Sequence, residues 1–385
     1  MRLLSPEPQK SSMSAYGPKR WGGRPPTASK CQSGGVEHHL REASVGEVIT
    51  IGLDLAKWVF QAHGVDASGA VVFRRKLRRG QVLSFFASQP RCVVAMEACA
   101  GGHYWAREIG ALGHETRLIA PAYVKPFVKR QKNDAADAEA ICEAAQRPTM
   151  RFVMAKSAAA QAAGTVFRAR DLLVRQRTQL INAVRGHLAE YGMVVRQGAE
   201  NARKLIALVA DPTSDLPEEA RSSLQVLTQT LQALQTRIAV LDVEIARRAK
   251  ADALAKRLMT IPGIGAVVAT ALVALAPAPE TFRRGRDFAA WLGLTPLQHS
   301  SGGKERLGRT SKMGERTLRR LLIIGASSAA RAAAIKGAPT DSWLARMLSR
   351  KPRMLVVVAL ANKIARIAWA LMAHGGIYRA PASAA

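Results

Sequence analysis

The chain has 385 residues, with 57 Lys or Arg against 28 Asp or Glu and a formal net charge of +29. Hydrophobic residues make up 48% and charged residues 22%, which excludes a disordered polyelectrolyte and allows two or three folded units with real cores. Basic residues recur along the whole length instead of gathering in one amphipathic arm, which favours nucleic acid over a membrane surface as the polyanionic partner.

Residues 1–45 are rich in Pro, Gly, Ser and Lys/Arg without periodicity and read as a flexible basic tail. Their polar character is unlike a secretory leader. Cys31, Cys92, Cys99 and Cys142 form no CxxC pair and stand at no zinc-finger spacing, so they read as reduced thiols of a cytosolic protein. Order begins near residue 46. Val48–Asp54, "KWVFQAHGVD" and "AVVFRRKL" have the apolar content of three strands joined by tight turns. A helix over Gln81–Ser88, the strand "RCVVAME", a helix over His103–Leu112, a strand at Glu115–Ile119 and a helix after Asn133 follow. A meander that passes into alternating helices and strands predicts a mixed α/β sheet over 46–150.

From 155 to 250 the period becomes helical. Leu224, Leu227, Leu231, Leu234, Ile238, Leu241 and Ile245 alternate spacings of three and four, a coiled-coil seam suited to dimerisation or to spacing. An earlier helix places Leu173, Leu180, Val184 and Leu188 on one side, with Arg168, Arg170, Arg175, Arg177 and Arg185 over much of the rest. The break "ADPTSDLPEE" predicts that the two helices fold back as an antiparallel pair. Over 255–375 the chain is again mostly helical, and 376–385 form a tail. In "TIPGIGAVVATALVA", Gly263 and Gly265 precede a helix whose exposed N–H groups can hold a phosphate, as in a helix-hairpin-helix; an ordinary helix start has the same look. The apolar run Met354–Asn362 is too short to span a bilayer and predicts a buried helix.

Two groups of residues can carry chemistry. Asp54 ends the first strand, Glu97 ends the fourth, and Asp134 and Asp137 share a face of the next helix at i and i+3. Each acid has an ordinary explanation, whether a turn, a loop cap or a favourable place in a helix's first turn. Together, in strand–strand–helix order, they match what an RNase H-like sheet needs to hold divalent metal against a phosphodiester, and Mg²⁺ with its preference for oxygen suits them. Lys129, Arg130 and Lys132 stand directly before this helix, where they can bring phosphates to the metal. The second group is "LQHSSGGKERLGRTSKMGERTLRR". Ser300 and Ser301 lie beside two glycines among Lys304, Arg306, Arg309 and Lys312, with His299 nearby. A serine there can attack phosphorus with the cations stabilising the developing charge, or the loop can simply be mobile, or bind phosphate only.

Taken together, "TIGLDLAKWVFQAHGVD", "MEACAGGHYWAREIGALGHETRLIAPAYVKPFVKRQKNDAADAEAI", "IPGIGAVVATALVA", "FAAWLGLTPLQHSSGGKERLG" and "SKMGERTLRRLLIIGA" resemble the insertion-sequence-110 family of transposases from about residue 47 to 375. The resemblance implies a RuvC-like domain whose acidic quartet, Asp54, Glu97, Asp134 and Asp137, holds Mg²⁺. It also implies a C-terminal transposase domain whose Ser301 forms a phosphoserine link to DNA, with Ser300 the neighbouring alternative. Implied partners are donor and target DNA, a structured guide RNA encoded by the element, and further copies of the chain in a dimer or tetramer. The rival expectations are a RuvC-like nuclease in which water attacks, and a non-enzymatic scaffold that binds nucleic acid.

Overall fold

The computed structural model describes residues 47–129, 133–337 and 342–379. The expected tail before residue 46, Arg130 and Lys132 lie outside the described residues.

Three strands open the fold: β1 (Thr50–Asp54), β2 (Val59–Val65) and β3 (Val71–Arg78). They form the expected antiparallel meander, β1 against β2 and β2 against β3. After α1 (Val82–Ala87), strand β4 (Val93–Glu97) returns parallel to β1. Helix α2 (Gly102–Ala111) leads to β5 (Glu115–Ile119), parallel to β4. The short α3 (Pro121–Val124) and then α4 (Asp134–Ala145) follow, before a two-residue β6 (Phe152–Val153) closes the sheet antiparallel to β5. The strand order is 3-2-1-4-5-6. Sequence periodicity did not reveal β6, because two residues are too few to alternate.

Strand alternation decides which helix each face receives. Ile51, Leu53, Phe60, Val94 and Met96 point to the side of α1 and α2, where they pack with Phe86, Trp105 and Ile109. The opposite face carries Ala95 and Ile119 against Ala140, Ile141 and Ala144 of α4. The sheet is therefore covered on both sides.

The rest is mostly helical. Helix α5 (Ala158–Glu190) runs out, α6 (Ala202–Ala210) makes the turn, and α7 (Glu218–Ala251) returns. The two long helices pair as expected, and α6 is an addition. Its Ala202, Leu205 and Val209 fill the far end of the arm with Ile181, Val184, Leu188, Leu224 and Leu231. The predicted seam thus packs against its own chain. Arg221, 7% exposed, ties the turn together by donating to the carbonyls of Val209, Asp211, Ser214 and Leu216.

Helices α8 (Ala253–Leu258), α9 (Ala266–Leu275) and α10 (Gly285–Trp291) come next. A two-stranded hairpin, β7 (Pro296–Gln298) with β8 (Leu307–Thr310), stands where sequence indicated a loop. Helices α11 (Arg316–Lys336), α12 (Trp343–Arg350) and α13 (Arg353–His374) end the chain. Their core includes Phe167, Ile245 and Ala249, so the near ends of the arm's long helices share it. The apolar run at Met354–Asn362 belongs to a longer helix than expected; at 22 residues α13 is long and apolar enough to cross a membrane. Its Val356, Val357, Ala361, Ile364, Ala365, Ala368 and Leu371 nevertheless face this core, as the buried-helix reading required.

Candidate active site

The first site is built from small residues that precede acids. Thr50, Gly52 and Asp54 share the α4 face of β1, and Ala95 and Glu97 share that face of β4. Gly52 is where α4 comes closest. A Cβ added there would lie 2.6 Å from the Cys142 amide nitrogen and 2.7 Å from the Cys142 Cβ, and it would also overlap the Ala138 carbonyl. Only glycine permits that approach. Asp134, Ala138 and Cys142 recur at four-residue spacing along one side of α4, so seating Ala138 and Cys142 on Gly52 delivers the helix's first turn to the end of β1. On β4, Gly102 similarly lets the start of α2 crowd the Glu97 carbonyl, 2.7 Å from the position of a Cβ.

Helix α4 begins at its cap. Asn133 accepts from the Ala136 amide at 2.8 Å, leaving Asp134 and Asp137 in the first turn, where the helix dipole stabilises negative charge. Asp134 is therefore not the cap. Carboxylate oxygens of Asp54, Asp134 and Asp137 all lie within 4.8 Å of one another. Among the described residues none of the three forms an ion pair, in a chain with twice as many bases as acids. The crowding has a cost: the half-buried Asp54 carboxyl is pushed up to about 6, first by burial and then by the charges of Asp137, Asp134 and Glu97. Glu97 acts on Asp54 through charge but falls outside the tight group of three. Three converging carboxylates without a cationic partner among the described residues, one of them resisting ionisation, suit a divalent cation.

The neighbouring acids are different. Glu139 binds Lys129 at 2.9 Å and Arg74 at 3.5 Å, and Glu143 binds Arg147 at 2.6 Å. The Lys129 ammonium, expected to meet phosphate, is held by α4 itself.

The second site is the hairpin tip. Lys304 donates its amide to the Ser301 carbonyl at 3.1 Å, and Gly302 and Gly303 between them have φ of 56° and 76°. Positive φ at both central residues is the mark of a type I′ turn, which the strand twist of a hairpin favours. The "SSGG" run is therefore turn chemistry. The Ser300 hydroxyl is engaged within the hairpin, accepting from the Arg306 amide at 3.2 Å and from the Gln298 side chain at 3.1 Å. Ser301 is exposed, and its hydroxyl has no partner among the described residues. Lys304 and Arg306 are exposed at the tip, whereas Arg309, farther down β8, and Lys312, at the hairpin base, are exposed away from it; none of the four forms an ion pair among the described residues. Lys312 has a positive φ of 54°. His299 lies across Gly308 of the opposite strand, where a Cβ would touch its ring at 2.8 Å.

The glycines before α9 divide. Gly265 is exposed with open space around it, as a phosphate contact requires. Gly263, at φ +91°, abuts α11: a Cβ there would lie 2.7 Å from the Gly325 carbonyl. Its identity is set by packing. On the arm, Arg170 is taken by Asp242 at 2.5 Å and Arg175 by Asp171 at 3.2 Å, and Arg320 of α11 also reaches Asp171.

A mixed sheet bearing converging carboxylates, in a strongly basic chain, has the features of enzymes that act on nucleic acid with a divalent metal. Comparison with known proteins narrows this. A family model for DEDD transposases of the IS110 type matches residues 51–193, and one described as "Transposase IS116/IS110/IS902 family" matches 255–338. The chain is 51% identical over 331 residues to a "Probable family 20 transposase" of Pseudomonas aeruginosa, covering 86% of this chain and 98% of the relative. It is 39% identical over 340 residues to the transposase for insertion sequence element IS1111A of Coxiella burnetii, 88% and 93% covered. With the corresponding IS1328 transposase of Yersinia enterocolitica it shares 38% over 331 residues, 86% and 98% covered. The chain belongs to the IS110 family of insertion-sequence transposases. It is therefore an enzyme that cuts and rejoins DNA, and the expectation of a non-enzymatic scaffold does not hold.

Proposed function

We propose that this transposase exchanges DNA strands by serine attack at a metal site, guided by an RNA of the element. The single observation that carries the reading is the convergence of Asp54, Asp134 and Asp137 without a cationic partner among the described residues. The strand order 3-2-1-4-5, with β2 alone antiparallel to its partners on both sides, supports an RNase H-like (RuvC-like) assignment for residues 46–150. A helical arm over 155–250 and a transposase domain over 255–375 complete the proposed division.

Asp54, Asp134 and Asp137, with Glu97 beside them, would hold Mg²⁺, which supplies positive charge to a phosphodiester under attack. The Ser301 hydroxyl attacks phosphorus, its proton passes to solvent or a nearby base, and the bond to one bridging oxygen breaks. That leaves a phosphoserine ester on one DNA end and a free hydroxyl on the other. A hydroxyl from the exchanged strand then reverses the step and releases Ser301. Lys304 and Arg306 offset charge on the non-bridging oxygens. Ser301 is favoured over Ser300 because its hydroxyl is not committed to the hairpin. Acids and serine are drawn from different subunits of a dimer or tetramer, and a cytoplasmic, nucleoid-associated location follows from the DNA substrate. The length and charge of the arm leave surface for the guide RNA.

The test is adduct trapping with donor DNA and Mg²⁺. Wild type and Ser300→Ala are expected to give a covalent protein–DNA species, and Ser301→Ala none. Free cleaved ends from Ser301→Ala at the wild-type rate would instead assign the attack to water.

A further inference from the structure

We propose that a pocket flanking the acidic site takes an unpaired nucleobase, stacked on Trp58 and Tyr104, with its phosphate on Arg78 and Arg79. The pocket has a volume of about 700 Å³ and is lined by Trp58, Val59, Arg78, Arg79, Leu83, Tyr104 and Trp105, along with Gly80. That lies within the range of about 300–1,000 Å³ typical of small-ligand sites. Four observations point to a base with its phosphate.

Trp58 is 75% exposed and Tyr104 40% exposed. One large aromatic left in water is ordinary, but here two stand beside a single concavity: Tyr104 packs edge-on to Trp105 at 5.2 Å and keeps part of its ring in water, and Trp58 has no ring partner among the described residues. Trp105, beneath them, is core: it packs edge-on to Phe60 at 5.1 Å and carries the Arg79 guanidinium at 5.1 Å from its ring centre. That contact fixes one cation at the pocket wall. Arg78 and Arg79 are exposed and make no ion pair among the described residues, and no carboxylate lines the pocket. Aromatic faces beside unpaired guanidinium groups are the chemistry of single-strand recognition, because a base offers its face only when it has left the helical stack.

Position supplies the fourth observation. Trp58 lies in the connection that leaves the end of β1 just after Asp54, and Tyr104 lies in the first turn of the helix that follows β4 and Glu97. The two strand ends that carry acids therefore continue directly into the two aromatics. The Arg79 amide donates to the Trp58 carbonyl at 2.8 Å, so the β3 exit is tied to the same edge. Pocket and carboxylates thus share one end of the sheet, the pocket walled by α1 and α2 and the acids on the α4 face, and the inference takes a strand bound at the acids to continue around that end. The inference rests on the transposase reading, since it takes the strand to be one opened for exchange. The shared chemistry is an unstacked nucleotide, which a melted DNA end or an RNA loop can equally provide.

The test uses the full chain without divalent metal, so that cutting is off and binding alone is read. The probes are single-stranded DNA and single-stranded RNA oligonucleotides containing 2-aminopurine, with a fully paired DNA duplex for comparison. Trp58→Ala and Tyr104→Ala are each expected to weaken single-strand binding about tenfold and to lose 2-aminopurine quenching. Trp58→Phe is expected to keep most of both. Duplex affinity stays unchanged throughout, and Tyr191→Ala, which removes an exposed tyrosine elsewhere, changes nothing. A preference for DNA or RNA identifies the source of the base. The pocket assignment is overturned if Trp58→Ala binds both single strands like wild type, if it loses duplex binding equally, or if it changes only the oligomeric state. Asp134→Asn run alongside separates the two claims: it should retain single-strand binding whatever becomes of the serine chemistry.

Discussion

The acidic site and the serine hairpin are held in opposite ways. Asp54 and Asp134 meet because a helix is pressed onto a sheet at Gly52, so their geometry depends on a buried contact between distant parts of the chain. Ser301 stands on a turn that closes itself, with two glycines where an added Cβ would meet nothing within 4 Å. One site is fixed by the absence of a side chain, the other by backbone dihedrals. A metal site needs several ligands at fixed mutual distance, which a packed helix–sheet contact provides. The nucleophile proposed for Ser301 would need only a sturdy, exposed support from which to reach DNA.

The largest effect that can break this comparison is loss of a ligand. Asp134→Asn or Asp137→Asn is expected to lower Mg²⁺-dependent cleavage by about 3–4 kcal/mol, roughly two to three orders of magnitude. Gel-shift affinity for DNA should stay near wild type. If recombination persists in both variants, the acid assignment falls.

Gly52→Ala attacks the same site through packing alone. Overlap with α4 backbone is expected to destabilise the fold by about 1–3 kcal/mol and to weaken divalent binding, measured by denaturant titration and by calorimetry. The hairpin contrast is Gly302→Ala. There only the positive φ is penalised, at about 1 kcal/mol, with local disorder of the tip and no change in metal affinity. Gly302→Asn, which accepts this conformation and restores the favoured Asn-Gly turn, should fall within about 0.5 kcal/mol of wild type.

The acidic crowding also predicts a pH effect with a definite sign. Asp54 titrates near 3.8 when unfolded and at about 6 in the fold, so between those values the folded chain binds more protons. Stability contributed by this group therefore falls as pH rises from about 4 through 6, and the deficit persists above. Asp54→Asn is expected to raise the Tm of the metal-free protein at pH 7–8, with the advantage gone by pH 4. Saturating divalent cation should stabilise the wild type and remove the difference.

Much of this was legible beforehand. The three-strand meander, the fourth strand and the start of α4 after Asn133 follow from alternation and turn residues, whereas the parallel pairing of β4 and the cap at Asn133 emerge only in the fold. Asp54 and Glu97 could be placed at strand ends because strand ends are predictable where strands are. What escaped were features that exist only between elements. Gly52 and Ala95 each stand two residues before an acid, a small-x-acid repeat visible in "GLD" and "AME", but its meaning depends on α4 crossing that face. Helix α6, "ARKLIALVA", is short, and its apolar face gains meaning only where it fills the far end of the arm, while the hairpin lay in a glycine run that also fits a loose loop. Lys129 looked free because sequence gives no hint that Glu139, ten residues on, returns to meet it.

Gly263 and Gly325 face one another with their main chains in contact, each carbonyl standing where the other's side chain would begin. Elsewhere in a protein, a bulky replacement can be forgiven by trimming its neighbour. Here nothing is left to trim on either side. Any second-site suppressor of Gly325→Ala must therefore move a helix, and because α11 begins just past the serine hairpin, such a repair would be felt at that hairpin.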